Sequence, residues 1–197
     1  MKTDIILAGV GGQGVLSIAA IIARGAVKAG LRTRQSEVHG MAQRGGAVLA
    51  HLRVADSPIH SDLTPQGAAD LIIAMEPLES LRYLRWLSPH GAVVTAAEPF
   101  RNIDPYPDLH LIIKTIESLP SSRIIHAEAL AKAAGFPKAV NMVMVGAAFP
   151  FLPIPREQLE AAIDDSFSTK DPAVAAANRK AFALAVSAAG GGGTKAS

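Results

Sequence analysis

The sequence predicts an α/β fold, a three-layer α/β/α sandwich built on a Rossmann-like, mostly parallel sheet. Short apolar runs that end in glycine or a turn signal alternate along the chain with longer stretches of helical character. A glycine-rich turn, Gly9-Val10-Gly11-Gly12-Gln13-Gly14, separates the first such run from the first such stretch. Of the 197 residues 49% are apolar and only 5% aromatic, so the core consists of Ala, Val, Ile and Leu. That mixture suits strands covered by helices better than a thin β-sandwich.

Residues 4–9 (Asp-Ile-Ile-Leu-Ala-Gly) predict a buried parallel strand. After the glycine turn, residues 15–29 predict a helix that is apolar over most of its surface and is stopped by Gly30. Residues 32–38 are expected as a second strand, 39–46 as a loop, and 47–54, which alternate, as a third strand. A further buried strand is expected at 70–75 and a helix at 77–87, with Pro77 at an early position. Ser88-Pro89-His90-Gly91 predicts a turn into a strand at 92–96. Three prolines, Pro99, Pro105 and Pro107, make 98–107 irregular. Residues 109–126 fit strand or helix equally. Helices are expected at 127–134, ending at Gly135, and at 140–149, closed by Pro150 and Pro153. Two more, at 155–167 and 172–188, each open on proline. Residues 1–189 are expected to form a single domain, and 190–197, four glycines followed by polar residues, a flexible tail.

Composition excludes several classes of function. The chain has no cysteine, which removes disulfides, thiolate nucleophiles, Cys-ligated zinc and any iron–sulfur cluster held by this chain itself. A net charge of +2 gives no argument for nucleic acid. No run reaches the ~18 consecutive apolar residues of a membrane span. Met1-Lys2-Thr3-Asp4 leads straight into a strand-like run, unlike a secretory signal, so a cytoplasmic protein is expected. Residues 1–60 hold seven basic side chains against three acidic ones. Arginine near glycine-rich loops suits a phosphate or carboxylate ligand; solvated helix faces explain it equally well.

The turn at 9–14 satisfies G-x-G-x-x-G where that pattern has meaning, after a strand and before a helix. Its glycines let the backbone approach a ligand, and the helix N-terminus offers free N–H groups to an anion. It is not a Walker A loop, because Val15-Leu16 follow Gly14 in place of Lys-Ser/Thr. Glu37 lies 23 residues past Gly14, near the ~20 expected of an acid that binds a nucleotide ribose. A free-standing NAD- or FAD-binding module is therefore one reading. Yet Glu37 opens a dense polar run, Ser36-Glu37-Val38-His39-Gly40-Met41-Ala42-Gln43-Arg44-Gly45-Gly46, which points to a built site. The six histidines show no paired metal-ligand spacing, no Gly-x-Ser-x-Gly elbow exists, and no metal ligands are expected. Met75-Glu76, at a strand end, fits a functional position or a helix cap.

These two motifs, followed by Asn141-Met142-Val143-Met144-Val145-Gly146-Ala147, resemble in order and spacing the gamma domain of the 2-oxoacid:ferredoxin oxidoreductases. The resemblance runs from about residue 3 to 188, and His-Gly-Met-Ala-Gln-Arg-Gly-Gly favours the small subunits of the indolepyruvate branch over the 2-oxoglutarate branch. It implies a subunit, inactive alone, of an enzyme that decarboxylates a 2-oxoacid on thiamine diphosphate, passes electrons through [4Fe–4S] clusters to ferredoxin and transfers the acyl group to coenzyme A. It implies that thiamine diphosphate, Mg2+ and the clusters sit in a large partner subunit, in a heterotetramer. The small subunit would complete the active site or the coenzyme A region. The residues it would use there are Gly9, Gly11, Gly12, Gln13 and Gly14, then Glu37, His39, Gln43, Arg44, Gly45 and Gly46, and Asn141. Within that set, Arg44 is expected to pair with a carboxylate or phosphate, or with Glu37 to order its loop. Asn141 is expected as an N-cap or backbone brace.

Overall fold

The computed structural model describes residues 1–39 and 45–191. Among them the first strand, β1 (Lys2–Val10), is buried from Thr3 onward, because it is paired on both edges and covered on both faces. Its Asp4 is 0% exposed. That carboxylate sits directly across the ladder from Arg53, which holds it with Nε at 2.7 Å and a second guanidinium nitrogen at 3.1 Å. A buried charge is tolerated only with such a partner.

The other strands are β2 (Arg32–His39), β3 (Ala47–Ala55), β4 (Ala69–Ala74), β5 (Leu87–Ala96) and β6 (Ser122–Ile125), in the order β2-β3-β1-β4-β5-β6. The pairings β1–β4, β4–β5 and β5–β6 are parallel; β3 runs antiparallel to both of its neighbours, β1 and β2. The sheet is thus mostly parallel, with one reversed strand set between β1 and β2.

Alternate residues of β1 feed two cores. Ile5 and Leu7 join a large apolar cluster with α1 (Val15–Lys28), α4 (Ala127–Ala133), α5 (Val140–Ala148), α6 (Arg156–Phe167) and α7 (Pro172–Gly191). Ile6 and Ala8 join a smaller cluster with Tyr83 and Trp86, on the face that carries α2 (Pro77–Arg82). The α3 helix (Leu109–Glu117) packs beside α2 and β6. Helices on both faces of the sheet make the expected three layers.

Three local expectations are corrected and one open stretch is resolved. The helix expected at 77–87 ends at Arg82 and gives way to a single 3₁₀ turn, Leu84–Trp86, because Tyr83 and Trp86 turn onto the sheet with their rings 5.6 Å apart. Residues 88–91 are part of β5 and not a turn before it. The partner of Ala69 is Leu87 and that of Leu71 is Ala92, so the extra residues form a bulge. Gly91 permits it, since a Cβ there would stand 2.7 Å from the Ala69 carbonyl oxygen. The ambiguous stretch divides into α3 and β6, and α7 continues through Gly190 to Gly191. Residues 192–197 of the expected tail lie outside the described residues. Among the described residues no helix is long and apolar enough to cross a membrane.

Candidate functional site

Chain direction in the sheet divides at β1: the segment after β1 leads to β2 and β3 on one side, while β4, β5 and β6 lie on the other. The carboxyl ends of β1 and β4 therefore flank a switch-point crevice, where open α/β sheets place ligands. The glycine turn forms one wall of it. The Val10 N–H donates to Gln13 Oε1 (2.8 Å), the Gln13 N–H donates to the Val10 carbonyl (3.0 Å), and Gln13 Nε2 donates to the Met75 carbonyl (3.2 Å). One amide side chain thus closes the turn and braces it to the end of β4. Gly14 is the N-cap of α1 at φ +80°, and no side chain caps that helix.

The second motif returns to the first. The Gly11 N–H donates to the Gly46 carbonyl (2.8 Å), and the Gly45 N–H donates to the Gly11 carbonyl (3.3 Å). Among the described residues, the N–H groups of Gly12 and Gly14 have no protein partner, and neither do those of Val15 and Leu16 in the first turn of α1. These four donors gather at the positive end of the helix dipole. Of the amides between Gly11 and Gly14, those of Gly11 and Gln13 are committed to the fold.

The crevice beyond the turn encloses about 230 Å³ and is lined by Gln13, Met75 and Ala96 at the strand ends, with Glu98, Glu128 and Phe100 opposite. Glu98 accepts hydrogen bonds from the N–H groups of Ala127 (3.2 Å) and Glu128 (3.3 Å), which holds the start of α4. The lining among the described residues is acidic, with two carboxylates and no cation. The proline-rich segment, which lines the crevice through Glu98, Pro99 and Phe100, is tied down at two further points. Asn102 Nδ2 donates to the Gly45 carbonyl (2.8 Å), and the Tyr106 hydroxyl donates to Glu76 Oε1. Glu76, 1% exposed, also accepts from the Glu79 N–H at 2.9 Å, which makes it the cap of α2. Burial, then the Glu76 carboxylate, pushes the Tyr106 phenol well above its ordinary range, so it stays protonated and donating. Burial likewise raises the Glu79 carboxyl, against the opposing charge of Arg82.

Gly9, Gly11, Gly12, Gln13, Gly14, Gly45, Gly46 and Asn141 therefore converge. Asn141 is not an N-cap: Ala139 occupies that position and Asn141 is the second residue of α5. Its amide lies against Gly14 instead, where a Cβ would approach Asn141 Nδ2 to 2.4 Å. Glu37 does not converge. It pairs with Ala50, which pairs with Leu7, so Glu37 lies one strand beyond β3 and two residues short of Gly9. Strand geometry puts that at roughly 12 Å from the glycine turn. His39 reaches the level of Gly9 but on the same outer strand. Gln43 and Arg44 lie outside the described residues. Glu98, Asn102 and Tyr106 were not singled out by sequence. The three prolines around them signal an irregular segment but not what it touches.

The description "pyruvate ferredoxin/flavodoxin oxidoreductase" belongs to the family model that matches residues 4–188. The chain belongs to that family. Its relatives include the indolepyruvate oxidoreductase subunit IorB of Archaeoglobus fulgidus, 38% identical over 86% of this chain and 88% of the relative. The protein of the same name from Pyrococcus horikoshii is 37% identical over 94% and 95%. The 2-oxoglutarate synthase subunit KorC of Methanocaldococcus jannaschii is more distant, at 28% over 84% of each chain. Two solved structures share the fold at 22% identity. The keto/oxoacid ferredoxin oxidoreductase gamma subunit of Geobacter sulfurreducens superposes with a TM-score of 0.71, over 96% of this chain and 99% of that one. The 2-oxoglutarate:ferredoxin oxidoreductase of Magnetococcus marinus superposes at 0.77 over 98% of this chain, which spans 32% of that longer chain.

Proposed function

We propose that this chain, with residues 1–189 as its one domain, is the small subunit of a cytoplasmic 2-oxoacid:ferredoxin oxidoreductase whose 2-oxoacid is indolepyruvate. The reaction is indolepyruvate, coenzyme A and two oxidised ferredoxins to indoleacetyl-CoA, carbon dioxide, two reduced ferredoxins and a proton. The observation that carries this reading is the gradient of similarity. Relatives named for indolepyruvate stand at 36–38% identity, against 28% for those named for 2-oxoglutarate. The chain has no cysteine, the residue type that holds iron–sulfur clusters in proteins of this chemistry. Clusters, thiamine diphosphate and Mg2+ are assigned to a large partner subunit.

The contribution of this chain is binding and orientation. The free amides of Gly12, Gly14 and the first turn of α1 are suited to an anionic group, such as a phosphate of coenzyme A or thiamine diphosphate. The crevice beside them adds carboxylates and no positive charge among its described residues, so Arg44 or a cation of the partner supplies the neutralising charge. A free-standing dinucleotide module fits less well. With β3 between β1 and β2, the acid at Glu37 stands a strand too far out to reach a ribose seated on the glycine turn.

The test is an anaerobic pull-down of the tagged chain from its native host. Expected is a brown complex with one large partner that reduces dye only with an arylpyruvate and coenzyme A. In that complex Arg44→Ala lowers turnover at least about tenfold with an unchanged melting temperature. A colourless monomer that binds NAD by calorimetry overturns the proposal.

A further inference from the structure

A second cleft lies on the other side of the α1 N-terminus from the crevice. Gln13 of the glycine turn and Val140 of α5 line the crevice, whereas Ser17 of α1 and Asn141, the neighbour of Val140 in α5, line the cleft. It encloses about 430 Å³, a size that takes a small organic ligand. Its walls are apolar and come from four segments: Phe136 before α5, Met142 in α5, Phe167 at the end of α6 and Val174 in α7. Lys138 and Lys170 also line it, and no carboxylate does. Among the described residues neither lysine has an ion-pair partner. Three basic side chains on the neighbouring helices are matched, Lys28 with Asp165, Arg156 with Glu160 and Arg179 with Asp164. Asn178, 2% exposed, lines the cleft while its Nδ2 donates to the Val174 carbonyl, so the inner wall is held in place by a polar group already committed to α7.

The two clefts thus have opposite electrostatic character: carboxylates beside the glycine turn, unmatched ammonium groups behind it. We propose that the second cleft is a binding site for an apolar carboxylate. The hydrocarbon or aromatic body seats between Phe136, Met142, Phe167 and Val174. The head group meets Lys138 and Lys170, with the Asn141 amide as a hydrogen-bond donor. The two ammonium groups supply charge for an anionic head group, and the largely apolar walls favour a carboxylate over the more strongly hydrated phosphate dianion. Because Asn141 also packs on Gly14, a ligand here touches the residue that shapes the glycine turn.

The site is tested by calorimetry on the isolated full chain, so the result does not depend on the oxidoreductase reading. The probes are 1-naphthylacetate, its neutral alcohol analogue, acetate and 1-naphthyl phosphate. Expected is one naphthylacetate per chain, with the neutral alcohol and acetate each bound at least about tenfold more weakly. The Lys138→Glu, Lys170→Glu double variant loses about tenfold in affinity, and added salt weakens the wild-type complex. Val174→Trp fills the apolar wall and abolishes binding of every probe, while circular dichroism shows both variants folded. Absence of naphthylacetate binding, equal affinity for the alcohol, tighter binding of the phosphate, or unchanged affinity in the folded double variant overturns the proposal.

Discussion

Gly14 carries two constraints at one position. Its φ of +80° lies in the left-handed region, and the Asn141 amide occupies the space a Cβ would need. The two effects are separable. Gly14→Ala is expected to cost about 3 kcal/mol, of which roughly 1 kcal/mol is the backbone conformation and the rest the overlap with Asn141. In an Asn141→Ala background the same substitution then costs only the backbone share. A double-mutant cycle by denaturant unfolding checks this, and strict additivity would show that the contact does not matter. The glycines at 9, 11, 12 and 14 were legible because the motif stands between strand and helix. The role of Asn141 was not: its nearness to Gly14 comes from the packing of α5 beside α1, 127 residues away in sequence.

Among the helices, α5 is buried from Met142 to Ala148, which is why its sequence is apolar all round. It lies so close to α7 that a Cβ on Gly146 would meet the Phe182 carbonyl oxygen at 2.4 Å and the Ala185 Cβ at 2.8 Å. Backbone cannot move aside as a side chain can. Gly146→Val is therefore expected to lower stability by about 3 kcal/mol or to prevent folding. Gly25 in α1 is the control. Its Cβ would meet the Leu159 Cδ2 at 2.8 Å, the far end of a flexible side chain. Gly25→Ala should change stability by less than about 1 kcal/mol, because helix propensity offsets the small rearrangement. Comparable losses at both sites in thermal unfolding would contradict the distinction. Most elements were legible from apolar period and from Gly or Pro at their ends. The bulge in β5 was misread as a turn because Ser88-Pro89-His90-Gly91 has turn chemistry. Only the partner strand shows that the chain stays in the sheet.

Across the whole molecule, strand order bears on a choice that the sequence left open. A glycine turn followed by an acid 23 residues later fits a dinucleotide domain and a gamma-type subunit equally well. The reversed β3 speaks against the first. By entering between β1 and β2 it joins Gly45 and Gly46 to Gly11 and displaces Glu37 to the sheet edge. The proline-rich segment is anchored to Gly45 through Asn102, to Glu76 through Tyr106 and to the start of α4 through Glu98, so one wall of the crevice comes from residues far apart in the chain.

The sequence by itself determined the fold class, the glycine turn, most elements and the absence of thiolate ligands, because these depend on local period, backbone freedom and composition. Only the tertiary structure decided which motifs meet. It set the polar run against the glycine turn through Gly45 and Gly46, and it set Asn141 on Gly14 rather than at a helix cap. It also gave the two clefts flanking α1 their opposite charge. The physical reason is the same in each case. A strand's neighbours and a helix's partners are chosen by burial of complementary faces, and that choice is made by the whole chain at once.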